Sequence, residues 1–248
     1  MNNTETCDTQ ITRSGRQHRT LPVKYGQNEV KLVGVLGEAR YQHSHMGVNY
    51  YEVKMELIKP DGKENHVPIQ LTQEQIYELL KETQEESVAT KEGSRGTDHP
   101  IFKNEDGKWF DFDLPVEVVG TLRAVKQREA THTKKITFVK VRKVNLVFNW
   151  EYVNDVILEG EVIKTFNPRT TEKGREVQDF LLNVRRHPDR DCYIYIVTIG
   201  EMAKVAKELK PGDNLMLKGA FVNRSWEHKM SGEAMESNEV FAFELTKS

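Results

Sequence analysis

The sequence predicts an all-β-dominated chain built as two tandem five-stranded barrels, each with a short helix between its third and fourth strands. Three observations carry that expectation. Short runs rich in β-branched and aromatic residues, bounded by Gly, Pro, Asn and Asp, recur along the chain. The order strand, strand, strand, helix, strand, strand occurs twice. The opening strand of each copy is interrupted by a glycine, Gly34 and Gly160, as suits a strand that must bend at a barrel corner.

In the first copy, Val30–Arg40 is the glycine-interrupted strand, and Tyr50–Leu57 alternates as a half-buried strand does. Asp61-Gly62 is a hairpin turn leading into the short run His66–Gln70. Thr72 has the character of an N-cap: Gln75 follows three residues later, and Ile76, Leu79 and Leu80 share one helical face. Val116–Val125 and Ile136–Val141 supply the last two strands. The second copy runs through Asn154–Ile163, Val177–Val184 and Cys192–Val197. A helix follows from about Glu201 to Leu209, ended by Pro211-Gly212, and then come strands Asn214–Val222 and Glu239–Leu245. Five strands with a helix after the third is the oligonucleotide-binding (OB) arrangement, a partly open Greek-key barrel. The expected division is a flexible basic arm over residues 1–27, a first OB domain over 28–148 with an acidic insert at about 83–113, and a second over 149–248.

The net charge of −2 on 248 residues argues against coating nucleic acid by bulk electrostatics, but the distribution is uneven. Arg123, Lys126, Arg128, Lys134, Lys135, Lys140, Arg142 and Lys143 crowd one hairpin, while acids dominate from Thr72 to Asp113. An anionic ligand responds to the local field rather than to the sum over the chain. No apolar run approaches the roughly 18 residues of a membrane span. The polar start, Met1–Gln10, is not a signal peptide. Two cysteines, Cys7 and Cys192, give no disulfide framework and fit a reducing cytoplasm. No phosphate-binding loop occurs, and His43 and His45 have no cysteine pair beside them. Asp111 with Asp113 and Asp189 with Asp191 are Asp-x-Asp pairs of the kind common in turns. We therefore expect no catalytic residue, no cofactor and no metal.

The second copy resembles the bacterial single-stranded-DNA-binding protein family, which includes the related primosomal replication protein. The matching residues are Asn154-Asp-Val-Ile-Leu-Glu-Gly160, Asp179-Phe-Leu-Leu-Asn-Val184, Gly200-Glu-Met-Ala-Lys-Val-Ala206, Lys210-Pro-Gly-Asp213 and Lys218-Gly-Ala-Phe-Val-Asn-Arg-Ser-Trp226. The first copy is similar through Asn28-Glu-Val-Lys-Leu-Val-Gly34, Ser44-His-Met-Gly47 and Tyr50-Tyr-Glu-Val53. The resemblance implies a non-catalytic single-stranded-DNA-binding protein of replication, recombination or repair, cytoplasmic and nucleoid-associated. It places Arg224 and Trp226 at the end of the fourth strand, Tyr193 at an aromatic position, and Arg185 and Arg186 where the second strand reaches the groove. Two departures stand out: the chain stops at Ser248 without the family's long acidic-tipped tail, and two barrels are fused where the family usually has one and forms a tetramer. A homodimer of this chain presents four OB folds, and replication or recombination proteins are its expected protein partners.

Sequence-tolerant binding of a single strand needs cations for the phosphates and flat side chains for the bases, each stack worth about 1–3 kcal/mol. The second copy offers Lys164, Phe166 and Arg175 near its first hairpin, besides the residues above. The first offers Arg40, Tyr41, His43, Tyr50 and Tyr51 around its first hairpin, where the adjacent Tyr50 and Tyr51 point to opposite faces so that at most one meets DNA, and Arg123, Lys126 and Arg128 in its last. Phe180 alternates with Leu182 and Val184 and belongs to the core. Two other readings fit the same fold: an RNA-binding OB protein and an assembly module of a primosome or mobile element.

Overall fold

In the computed structural model the described residues are 27–59, 61–82, 89–90, 101–102, 115–128, 133–147, 151–185, 191–227, 232 and 234–247. The elements are β1 (Asn28–His45), β2 (Val48–Ile58), β3 (Glu64–Thr72), α1 (Gln73–Glu82), two-residue β4 (Ala89–Thr90) and β5 (Ile101–Phe102), β6 (Val116–Arg128) and β7 (Thr133–Leu146). They continue with β8 (Val153–Thr165), β9 (Arg169–Thr170), β10 (Glu176–Asn183), β11 (Tyr193–Ile199), α2 (Glu201–Lys207), β12 (Asn214–Glu227) and β13 (Ala234–Lys247). Of the basic arm only Gln27 is described, and the expected insert is described only at β4 and β5.

The strand pairings close two rings. In the first, β1 pairs with β2, β2 with β3, β3 in parallel with β7, β7 with β6, and β6 with β1. In the second, β8, β10, β11, β13 and β12 pair in the same cyclic order, with β11–β13 the parallel step. A helix follows the third strand of each ring. This is the all-β, two-barrel OB architecture that the repeat predicts. The strands outrun the apolar runs: β6–β7 and β12–β13 continue as long hairpins whose outer parts are polar. Hairpin ladders satisfy the backbone there without a core to bury.

Alternation fixes what lies inside. Tyr51, Val53, Met55 and Leu57 are buried from β2, and Phe180, Leu182, Ile194 and Ile196 from β10 and β11. Each such side chain gains about 1.5–3 kcal/mol by leaving water. The glycines in β1 and β8 are required by close approach. A Cβ on Gly34 falls 2.2 Å from the Glu56 carbonyl oxygen, and one on Gly160 falls 2.4 Å from that of Asn183. Thr72 and Gln75 form a reciprocal capping box: the Gln75 N–H donates to Thr72 Oγ1 (3.2 Å), and the Thr72 N–H donates to Gln75 Oε1 (2.9 Å).

The rings join through β1 and β8, which pair antiparallel so that one eleven-stranded sheet runs through both. The register is two-fold: Val30 faces Val156, Asn28 faces Leu158 and Leu32 faces Asn154. Buried amides repeat the symmetry. Asn28 accepts from the Leu122 N–H (2.8 Å) and donates to the Leu122 carbonyl (3.1 Å). Asn154 does the same to Phe221, at 2.8 Å in both directions. Each of these carbonyls takes a second donor from the other ring: Asn65 Nδ2 on Phe221 (2.9 Å) and Cys192 Sγ on Leu122 (3.8 Å).

Candidate nucleic-acid interface

Strands β8, β10 and β11 turn one side into the second core and the other outward. Leu181 pairs with both Lys164 and Tyr195, and Asn183 pairs with Tyr193, so these form rows across the outer face. Loop residue Phe166 lies 5.3 Å from Tyr195, centroid to centroid, tilted by 44°. The Lys164 ammonium stands 4.9 Å above the Phe166 ring. Arg169 grips Asp179 with two bonds (3.0 and 3.2 Å), and the Tyr195 hydroxyl donates to the same carboxylate at 3.2 Å. Partial burial, with Asp179 beside it, pushes the Tyr195 hydroxyl up to about 12, so it remains a neutral donor. Tyr193 donates to Asp191 (2.9 Å); bonds from Asn183 and Tyr193 hold that carboxylate below its usual range. Arg185 is exposed, 3.7 Å from Asp191 and 3.9 Å from Glu161.

The second group lies on the β12–β13 hairpin. Arg224 and Trp226, two apart on one side of β12, are both exposed, and the guanidinium sits 5.4 Å from the indole centroid. Trp226 is 39% exposed opposite Met235, itself 36% exposed, so this tryptophan fills no core. Arg175 is exposed where the chain turns from β9 into β10, its backbone N–H bonded to Thr171 Oγ1 (3.0 Å).

The first ring differs from expectation at one residue. Tyr51 is 1% exposed, paired with Leu71 and edge-on to Tyr41 at 5.9 Å, so it packs the core and presents no face to a base. Its neighbour Tyr50 points outward, stacked on His43 (5.0 Å, 17°) with the Lys140 ammonium 5.2 Å above its ring. Tyr41 is half-buried, its hydroxyl 2.9 Å from Ser44 Oγ. Arg40 is exposed but held by Glu38 at 2.9 Å. On β6, Arg123 is half-buried and Lys126 exposed; Lys126 pairs with Lys135 across the hairpin. Lys135 extends to Tyr193 of the other ring, 6.0 Å from its centroid. Desolvation pulls its ammonium below the usual lysine range, and Lys126 adds repulsion. Arg186 and the Arg128 side chain lie outside the described residues.

Sequence reasoning thus overlooked Tyr195, set Tyr51 ahead of its neighbour Tyr50 among the hairpin aromatics, and left Lys135 and Lys140 as part of the basic hairpin with no ring assigned to them. Tyr195 and Tyr50 were readable, because Ile194 and Ile196 on one side and Val53 and Met55 on the other set the phase of alternation. The lysines meet their rings only through strand pairing and the placement of the two barrels. Among the described residues no cluster of three or more His, Cys, Asp or Glu side chains is placed to hold a metal ion.

Buried Glu239 on β13 has its carboxyl raised, by desolvation first and by Asp179 next, against the pull of Arg224 and Arg169. The folded chain therefore holds this proton more tightly than the unfolded chain does. The charged form costs stability above the ordinary carboxylate range, and the cost fades as pH falls through it. Glu239→Gln is expected to raise the melting temperature at about pH 7 and to lose that advantage near about pH 4. A pH-independent difference in thermal melts contradicts this account.

Two closed five-stranded rings, each with its helix after strand three, define an OB-fold protein, and cations covering aromatic rings mark its second barrel. Residues 153–247, which span the second barrel, match the model of the Single-strand binding protein family. The fold of the whole chain is similar to that of the wild-type single-stranded DNA binding protein from Thermus aquaticus. The TM-score is 0.61 at 18% identity, covering 91% of this chain and 94% of that one. A deletion mutant of the Thermus aquaticus protein, delta 228-252 R190A, gives a TM-score of 0.59 at 19% identity over 90% of this chain and 95% of the other. No curated protein matches the sequence.

Proposed function

We propose that the protein binds single-stranded DNA and catalyses no reaction, acting in replication, recombination or repair. Bases stack on Phe166, Tyr193, Tyr195 and Trp226, while Lys164, Arg175, Arg185 and Arg224 meet phosphates. Residues 28–148 and 149–248 serve as its two domains, and a homodimer presents four barrels. The observation that carries the reading is a coincidence of place. The family match, the exposed Trp226 under Arg224 and the Lys164–Phe166–Tyr195 cluster all fall on one barrel. A stacking platform accepts any base, and each ring contributes about 1–3 kcal/mol.

Competition among oligo-dT, oligo-rU and duplex DNA tests this. The expected result is preference for oligo-dT over duplex, tryptophan quenching on binding, and affinity that falls steeply with salt. Trp226→Ala is expected to weaken oligo-dT binding about 5- to 150-fold, the range of one lost stack. Equal affinity for duplex overturns the stacking mechanism, and preference for oligo-rU moves the protein to the RNA-binding reading. A solution particle of one chain mass, 28.7 kDa, with and without a long oligonucleotide, overturns the homodimer.

A further inference from the structure

The two-fold relation between the barrels allows their outer faces to be compared position by position. Both parallel steps set the frame: Ile69 faces Val139 and Gln70 faces Lys140, while Ile196 faces Val240 and Val197 faces Phe241. Counting back along β3 and β11, Pro68 occupies the place of Tyr195 and His66 that of Tyr193. Across the second strands, Lys54 pairs with Pro68 as Leu181 pairs with Tyr195, and Glu56 pairs with His66 as Asn183 pairs with Tyr193. On the last strands, Lys135 of β7 occupies the place of Glu236 of β13.

The two junctions are therefore of different character. Where the first barrel's hairpin crosses onto the second barrel, Lys135 stands over the Tyr193 ring, with the Tyr195–Phe166 pair on the same face. Where the second barrel's hairpin crosses onto the first, the cleft is lined by Glu236, Glu52, Lys54, His66 and Pro68, and by Lys135 itself. His66 is itself 3.3 Å from Glu64. One junction joins a cation to flat rings; the other mixes the carboxylates of Glu52 and Glu236 with the ammonium groups of Lys54 and Lys135 and has no Phe, Tyr or Trp in its lining. A single strand meets a stacking face with its cation at the first and no such face at the second.

We infer that Lys135 of the first barrel is a DNA-binding residue of the second barrel's site. The strand-binding face is composite, and the related junction at His66 and Glu236 takes no part in holding DNA. The inference rests on the single-stranded-DNA reading. It goes beyond that reading by assigning a residue from the other barrel and by making the two junctions unequal. It also gives the fusion a binding role, since β1–β8 pairing is what sets Lys135 against Tyr193.

The experiment is titration of the full chain with oligo-dT over a range of salt, comparing wild type, Lys135→Ala, Lys135→Glu, Tyr195→Ala and His66→Ala. Thermal melts run alongside. Lys135→Ala is expected to reduce the slope of log affinity against log salt by about 1, and Lys135→Glu to lower affinity about tenfold, both without a fall in melting temperature. Tyr195→Ala is expected to cost about 5- to 150-fold, and His66→Ala less than about twofold. An unchanged salt slope in Lys135→Ala, or His66→Ala as costly as Tyr195→Ala, overturns the composite site while leaving DNA binding intact. Failure of the wild type itself to bind oligo-dT overturns the underlying reading.

Discussion

Gly160→Ala is expected to destabilise the second barrel by about 3 kcal/mol, the upper end for forcing extra atoms into a packed interior. The added Cβ lies 2.4 Å from the Asn183 carbonyl oxygen, 3.0 Å from its carbon and 3.1 Å from Leu182 Cγ. The obstruction is backbone of the neighbouring strand β10, which pairs with β8 at this point, so no side-chain rotation relieves it. Strand β8 must separate from β10 or change its bend, and either loosens the ring. For a chain of this size the shift in melting temperature is about 6–12 °C. Gly174→Ala is the control: its φ of +76° is unfavourable for alanine, but nothing lies within 4 Å. That substitution is expected to cost about 1–2 kcal/mol through backbone strain alone. If thermal melts show Gly160→Ala to be no worse than Gly174→Ala, close approach is not what demands the glycine.

Asn28→Leu and Asn154→Leu are expected to cost about 2–4 kcal/mol each, with Asn28→Leu the larger. Each removes two buried hydrogen bonds and orphans a strand N–H, that of Leu122 or Phe221. The carbonyls fare differently. Phe221 keeps the Asn65 amide at 2.9 Å, whereas Leu122, among the described residues, keeps the Cys192 thiol at 3.8 Å, a weak donor. Urea titration of the two variants gives the ranking directly. Equal or reversed losses show that the partner barrel's donor does not share the load.

Local chemistry was legible wherever a residue acts on its own neighbours. The Thr72–Gln75 box announces a helix start within four residues, and it forms as a reciprocal pair. Gly34 and Gly160 mark the same bend in both copies because the clash there is with a strand of the same ring. Tyr51 shows where reading by hairpin proximity misleads. It belongs to the phase of Val53, Met55 and Leu57, and a bulge in β1 between Tyr41 and His43 re-aims the facing strand so that His43 stacks on Tyr50. Lys135 was invisible as a partner of Tyr193. The two are 58 positions apart in sequence, and only the packing of barrel on barrel sets the ammonium 6.0 Å from that ring. The long hairpins were under-read for a related reason, since polar residues carry no periodic signal when backbone pairing alone extends the strand.

The two-fold register of β1 on β8 has a consequence for inheritance as well as for shape. A homodimer built on such an axis must repeat every substitution on both sides of it, so a change that helps one half and harms the other is never clean. Carrying both halves in one chain lifts that constraint while keeping the interface. Asn28 and Asn154 still mirror each other, as the shared axis demands. Lys135 and Glu236, equally related by the axis, carry opposite charge. Covalent linkage lets one half of a symmetric object acquire a property that the other half need not copy.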